Sequence, residues 1–294
     1  MVPTLFSVSY AGLWGQHQLD LWSFLQKAAG LGYPAVELMG KRPHLSPLDV
    51  DDKMADEIRR TAEQAGIEIA TIAGYTNFTL GRDTEVPSVE IQIAYVRRLA
   101  QLAHKLGAKI VRVFTGYATE PDGYGRDWDI SVRAVRECAQ AATDCGVLLG
   151  VQNHHDVGVG VDAYVEFLDD VGHPGCRAMF DPWAAALHGD DLRTCARRLA
   201  PRMVQTTLAD YIRLPRYAYV PGLINYRRQD DMIRAVPLGD GFVDFDAFFA
   251  GLRDGGFEGY VAYEMCSPLR GGPTEENLDR TARIALAQIK RLIG

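Results

Sequence analysis

AHKLGAKIVRVF, residues 103–114, reads as the end of a helix, a glycine and then an apolar strand. The same order recurs in KAAGLGYPAVEL (27–38), AEQAGIEIATIA (62–73), ATDCGVLLGVQN (142–153) and LRDGGFEGYVAYE (252–264). A glycine just past a helix adopts the left-handed conformation that closes it at little steric cost. The apolar runs that follow suit strands buried on both faces, as in parallel sheets covered by helices.

The intervening helices carry the matching 3.6-residue period: Leu21, Phe24, Leu25 and Ala28 share one face, and Tyr95, Leu99, Leu102 and Leu106 another. With LFSVSY (5–10), RAMFDP (177–182) and RMVQTTLAD (202–210) the count reaches eight strands, each followed by a helical or potentially helical segment. Spread over 294 residues, that is about 37 residues per unit, the size expected of a (β/α)8 TIM barrel. The chain is therefore read as α/β, a single TIM-barrel domain over 1–294. A doubly wound open sheet is the alternative, but no GxGxxG follows the first strand. One long segment, 211–237, fits no unit and is read as an irregular lid or interface excursion.

The net charge of −7 argues against a nucleic-acid partner, which calls for a basic patch or stripe. No apolar run approaches the roughly 18 residues of a membrane span, and MVPTLFSVSY has no secretory pattern, so the expectation is a cytoplasmic protein with no membrane partner. Five cysteines without a CxxC pair are expected to be mostly buried small hydrophobes.

In such a barrel the functional groups stand where strands end. Glu37, Gln152 and His154, Asp181, Thr207 and Asp210, and Glu264 are the polar residues at those ends, and all are expected to converge on the mouth. Strand parity turns Gln152 and His154 to one side and Asn153 and His155 to the other. Trp14, Trp183, Tyr75 and Tyr117 lie near strand ends, where a ring can pack on a sugar. His188 and His44 stand in mouth-side loops, and Arg270 follows Glu264. No phosphate-cradling glycine loop and no Ser-His-Asp arrangement is evident.

PLGDGFVDFDAFFAGLRDGGFEGYVAYE (237–264), with LGYPAVEL, LGVQNHH, MFDP and TLAD, resembles the xylose isomerase-like sugar phosphate isomerase/epimerase barrels along nearly the whole chain. The resemblance implies a divalent metal held at four positions, which here are Gln152, Asp181, Thr207 and Glu264. Two of them depart from the family's glutamate and histidine. An amide and a hydroxyl are weaker donors, so the expected metal set is Asp181, Glu264 and Gln152, holding Mn²⁺, Mg²⁺, Zn²⁺ or Co²⁺ with reduced affinity.

The resemblance also implies proton removal beside a carbonyl, through an enediolate, on a keto-sugar, keto-glycoside or inosose-like polyol. The product class is that of an isomerase or epimerase, or of a dehydratase or lyase if a β-substituent leaves. Glu264, His154, His155 and Glu37 are the catalytic candidates. Gln152, Asn153, Thr207, His188, Trp183, Trp14 and Arg270 are the substrate-binding candidates. Gln152 cannot serve as a base, so a two-base epimerisation requires His154, His155 or Glu37 in its place. The alternatives are a metal-independent histidine-based enzyme and a barrel that binds a sugar or a partner without catalysis. The family also implies a homo-oligomer, with 211–237 as the segment for its interface. The related DNA-repair chemistry needs several metals and many ligands, and His17, His44, His104 and His173 fall in no such motif.

Overall fold

The computed structural model describes residues 1–81, 84–118 and 120–294. Ten strands and nine helices follow in chain order among the described residues: β1 Val2–Phe6, α1 Leu21–Leu31, β2 Ala35–Met39, α2 Asp52–Ala65, β3 Glu68–Ala73, α3 Ser88–Leu106, β4 Ile110–Val113 and α4 Tyr124–Asp144. Then come β5 Leu148–Gln152, α5 Val161–Val171, β6 Cys176–Met179, α6 Pro182–His188, α7 Leu192–Leu199, β7 Met203–Leu208, β8 Asp210–Val220, β9 Asn225–Val236, α8 Phe245–Asp254, β10 Tyr260–Tyr263 and α9 Glu275–Ile293. Strands β1 to β7 and β10 close a parallel barrel in the order β1-β10-β7-β6-β5-β4-β3-β2. This is the expected (β/α)8 architecture.

The helix–glycine–strand pattern has the anticipated origin. Gly32, Gly66 and Gly107 cap α1, α2 and α3 in the left-handed region, at φ of +86°, +68° and +76°. The apolar helix faces seal the outside of the barrel, with Phe24, Leu25, Ala28, Leu99 and Leu102 fully buried. No helix among the described residues is long and apolar enough to cross a membrane.

The barrel interior is layered. Its floor is an apolar cluster of Ala35, Ala70, Ile110, Met179 and Tyr260. A Cβ on Gly150 would lie 2.3 Å from Met179 Sδ, so this strand position has to be glycine for the methionine to fill the floor. Residues two further along each strand point to the same side. Above Ile110 stands Arg112, above Ala35 stands Glu37, above Gly150 stands Gln152 and above Met179 stands Asp181. The apolar floor thus carries a charged layer, with a register shift between Val36 and Glu37 where β2 meets β3.

Residues 211–237 are not irregular. They belong to a long antiparallel ribbon, β8 paired with β9 from Asp210↔Val236 to Val220↔Asn225. Most of its side chains are exposed on both faces, Tyr217, Tyr219, Ile224 and Tyr226 among them. Without a buried face there is no hydrophobic alternation to read, and main-chain pairing holds the ribbon instead.

Asp210 is also placed differently from expectation. It does not face the mouth but ties down the base of the ribbon, accepting from the backbone N–H of Tyr211, Gly239 and Gly241 at 2.9 Å each and of Val243 at 3.3 Å. A Cβ on Gly241 would lie 2.0 Å from Asp210 Oδ1, which accounts for the glycine in LGDG. Asp210→Ala strands four buried or half-buried donors and should cost about 3 kcal/mol or more. The readout is the urea midpoint. Arg270→Ala, at an exposed side chain, should stay within about 0.5 kcal/mol of wild type.

Candidate active site

Arg112 is the group around which the mouth is organised, and sequence reading passed over it. It comes from β4, is only 2% exposed and heads the largest fully buried side chains. Its Nη1 donates to Gln152 Oε1, and its Nε lies 3.6 Å from Glu37 Oε1. The guanidinium packs over Phe114, with 4.1 Å to the ring centroid, and 5.0 Å from that of Tyr75. Nε and Nη2 have no hydrogen-bond partner among the described residues.

From Arg112 a polar chain runs both ways around the interior. On one side Glu37 Oε2 accepts from Gln205 Nε2 at 2.5 Å, and Gln205 Oε1 accepts from Thr71 Oγ1 at 2.6 Å. On the other, Gln152 Nε2 donates to Asp181 Oδ2, while Asp181 Oδ1 accepts from the backbone N–H of Thr207 at 2.7 Å. The amide at 152 is thereby explained. It sits between a donor-only guanidinium and a carboxylate, and an amide can accept from the one through its oxygen and donate to the other through its nitrogen. A glutamate there would face the Asp181 carboxylate with like charge.

Glu264 closes the site at the end of β10. It is 6% exposed, and its Oε1 is 3.4 Å from Cys266 Sγ, which in turn contacts the Tyr211 hydroxyl at 3.2 Å. Burial raises the Glu264 carboxyl above its ordinary range, partly offset by Arg112 and Cys266. Burial also raises Glu37, to about 7, with Arg112 pulling it back. Asp181 is pushed well up by burial and Glu264, against the two N–H donors it holds. A cluster of carboxylates around one internal cation is thus more basic than carboxylates in water.

The remaining candidates separate into those in the mouth and those outside it. His154 is half-buried, with its ring 4.7 Å from Phe114 and 6.2 Å from Trp183. His155 is buried, 4.6 Å from Phe114 and 4.2 Å from Tyr117. Together with Tyr75, Asn77 and Phe114 it lines a side cleft of about 450 Å³. Trp183 also packs against Tyr211, 5.4 Å between centroids. Thr207 presents a buried Oγ1 without a partner among the described residues.

Glu37 is fully buried as the counter-ion of Arg112. The Asn153 amide is committed to the backbone of Asp181, accepting from its N–H at 2.7 Å and donating to its carbonyl at 3.2 Å. It therefore clamps β5 to β6. His188 is exposed at the far end of α6 and lines an outer cleft with Asp162, Thr194 and Arg198. The seven residues of α6 carry it about 10 Å along the helix from the strand end. His44 is buried beside Ser7, hydrogen-bonded at 3.0 Å. Trp14 and Arg270 are exposed, and neither side chain has a hydrogen bond or ring contact to the mouth among the described residues.

Lys41, just past β2, is a second residue the sequence reading missed. It is half-buried with Nζ 3.8 Å from the Tyr75 centroid, and it makes no ion pair among the described residues. Burial and Arg112 lower its pKa. The mouth therefore has two neighbouring cations, Arg112 and Lys41, and Arg112 acts on the Glu264 carboxylate.

The donor set does not suit a divalent ion. The Gln152 oxygen is engaged by Arg112, and both Asp181 oxygens accept N–H donors. A doubly charged ion about 5 Å from a guanidinium would meet repulsion of order 6 kcal/mol at an effective dielectric of 20. Among the described residues no group of three His, Cys, Asp or Glu side chains is placed to hold one.

Carboxylates, amides and an imidazole thus gather at the strand ends of an eight-stranded barrel, where barrels of this fold carry their active sites. The family model for the xylose isomerase-like TIM barrel matches residues 25–288, and the chain belongs to that family. Solved structures with the same fold include D-psicose 3-epimerase with D-tagatose from Clostridium cellulolyticum H10, at 19% identity and a TM-score of 0.75, covering 100% of this chain and 99% of that one. D-allulose 3-epimerase from Methylomonas sp. in complex with D-allulose matches at 16% and 0.73, over 99% and 96%. The probable 3-DHS dehydratase of petrobactin synthesis from Bacillus anthracis matches at 16% and 0.71, over 99% of both chains.

Burial with Arg112 lowers His154 to about 4, and burial with His154 and Arg112 lowers His155 to about 3. Both rings are neutral at pH 7. A histidine held neutral contributes stability that is complete above its unfolded value near 6.5 and is lost as pH falls toward the folded value. Between pH 6.5 and 4 the wild type should lose on the order of 2 kcal/mol more than His155→Phe, which keeps the ring stack. Glu37, shifted the other way, has the opposite slope and cancels in that comparison. Chemical denaturation across the pH range checks this, and parallel curves would reject it.

Proposed function

We propose that the protein is an enzyme of small hydroxy-carbonyl sugars or polyols that removes a proton from the carbon beside the carbonyl, with Glu264 as the base. The observation that carries the reading is the pairing of a nearly buried, unusually basic carboxylate with polar atoms that lack partners, Arg112 Nε and Nη2, Thr207 Oγ1, His154 Nδ1 and Tyr75 OH. Buried polar groups without partners each cost about 1–3 kcal/mol, and a polyhydroxylated ligand supplies the partners. Trp183 offers an apolar wall against which a sugar ring can pack. The sugar epimerases and the probable dehydratase that share this fold support the same substrate class.

Glu264 is the one carboxylate of the layer that is both outside the Arg112 ion pair and free of two N–H donors. A neutral His154 is a donor to the developing oxyanion rather than a second strong base. The arrangement therefore favours single-base chemistry: proton return to the same face, as in an isomerase, or loss of a β-hydroxyl, as in a dehydratase. Glu264→Gln should lower turnover about 10²–10⁴-fold with little change in KM. The assay is deuterium wash-in from D₂O beside the carbonyl, run over ketohexoses and cyclic hydroxy-ketones. No exchange by the wild type anywhere in that panel, or an unchanged rate in the variant, rejects the proposal.

A further inference from the structure

We infer that the guanidinium of Arg112 is the resident cation of this site, occupying the electrostatic role for which the related barrels are expected to need a divalent ion, and that the site works without one. The catalytic half of the inference rests on the proposed function; the cation half rests on geometry alone. The carboxylates of Glu37, Asp181 and Glu264 are gathered at the strand ends, and Arg112 is the cation enclosed among them, 2% exposed.

Three independent contacts fix that cation. Glu37 lies 3.6 Å from Nε, Gln152 Oε1 accepts from Nη1, and the Phe114 ring lies 4.1 Å from Cζ. Glu37 is itself held by Gln205 at 2.5 Å, so the pair is braced on the side away from the mouth. A guanidinium cannot lose its proton at working pH, so its charge is permanent. Its planar array of donors suits two oxygens at once.

The identity of residue 152 is the second line of argument. With a glutamate there, the site would place three carboxylates about one point, a suitable cage for a hard or borderline cation. With glutamine, one oxygen faces the guanidinium and the nitrogen faces Asp181. Gln152 thus relays Arg112 to Asp181, with its oxygen engaged by the guanidinium and no negative charge to offer a metal. Arg112 and Gln152 form one matched pair.

In the reaction Glu264 takes the proton from the carbon beside the carbonyl. The C–H electron pair forms the C=C bond of the enediol system while the carbonyl π pair moves to oxygen. That oxyanion accepts a hydrogen bond from the unpartnered Arg112 Nη2. In isomerisation the former carbonyl carbon takes the proton from Glu264 while the neighbouring hydroxyl gives its proton to the former carbonyl oxygen and becomes the new carbonyl. In dehydration the oxyanion pair re-forms the carbonyl, the C=C pair shifts to the α–β bond, and the β-hydroxyl takes the Glu264 proton and leaves as water. No oxidant, reductant or further cofactor enters the balance.

The test is a Mn²⁺ titration of the full-length, chelator-treated protein, with free Mn²⁺ read by electron paramagnetic resonance. Wild type should leave the free signal unchanged at equimolar metal, and Arg112→Met/Gln152→Glu should withdraw about one Mn²⁺ per chain. Wild type that withdraws one Mn²⁺ per chain, with the uptake lost in Asp181→Asn, overturns the inference. A folded double variant that still withdraws none overturns it as well, because Arg112 would not then be what holds the ion's place. If the double variant fails to fold by circular dichroism, the wild-type titration decides alone. No substrate enters this experiment, so its outcome is separable from that of the deuterium exchange assay.

Discussion

A single arginine inside a parallel barrel imposes most of what surrounds it. Arg112 has to be charged, and its burial at 2% exposure demands a counter-charge and acceptors within reach. Glu37 supplies the charge and Gln152 the acceptor, and each is then held by another residue. The result is a chain from Thr71 through Gln205, Glu37, Arg112, Gln152 and Asp181 to the Thr207 backbone, which links β3, β7, β2, β4, β5 and β6. Buried ion pairs are often no more stabilising than the apolar groups that could replace them. A layer of this kind above an already sufficient apolar floor is therefore better explained by the chemistry at the mouth than by stability.

The same layer sets the character of the ionisable groups. Carboxylates removed from water become more basic, and the guanidinium limits how far they rise. Burial, with the neighbouring positive charge added, makes the imidazoles less basic and keeps His154 and His155 neutral. In the proposed reaction Glu264 accepts the proton while Arg112 and His154 donate hydrogen bonds. That division is the requirement for moving a proton beside a carbonyl.

The barrel was legible because its signals are local. Capping glycines and doubly buried strands leave marks within about a dozen residues, and the strand-end rule then located Gln152, Asp181 and Glu264. The ribbon of β8 and β9 left no such mark, because residues exposed on both faces have no period. Asp210 and His188 were misplaced for want of geometry: one turns back to bind the glycines at 239 and 241, and the other is carried away by α6. Arg112 stands in an apolar run, where one charge is easily averaged out. Its parity with Ile110 was the available clue, since two residues beyond a barrel-floor side chain must also point inward. Its partner Gln152 lies 40 positions away, so the meaning of the amide became visible only with the strands side by side.

A glutamine where related barrels carry a metal-binding glutamate is, in this account, the complement of an arginine three-dimensionally beside it. The most direct check is a crystal structure at high resolution from crystals grown in MnCl₂, with an anomalous difference map at the manganese edge. Arg112 should be seated between Glu37 and Gln152, with no anomalous peak between Asp181 and Glu264. A strong peak bound by Asp181, Gln152 and Glu264, with the guanidinium displaced, would contradict it.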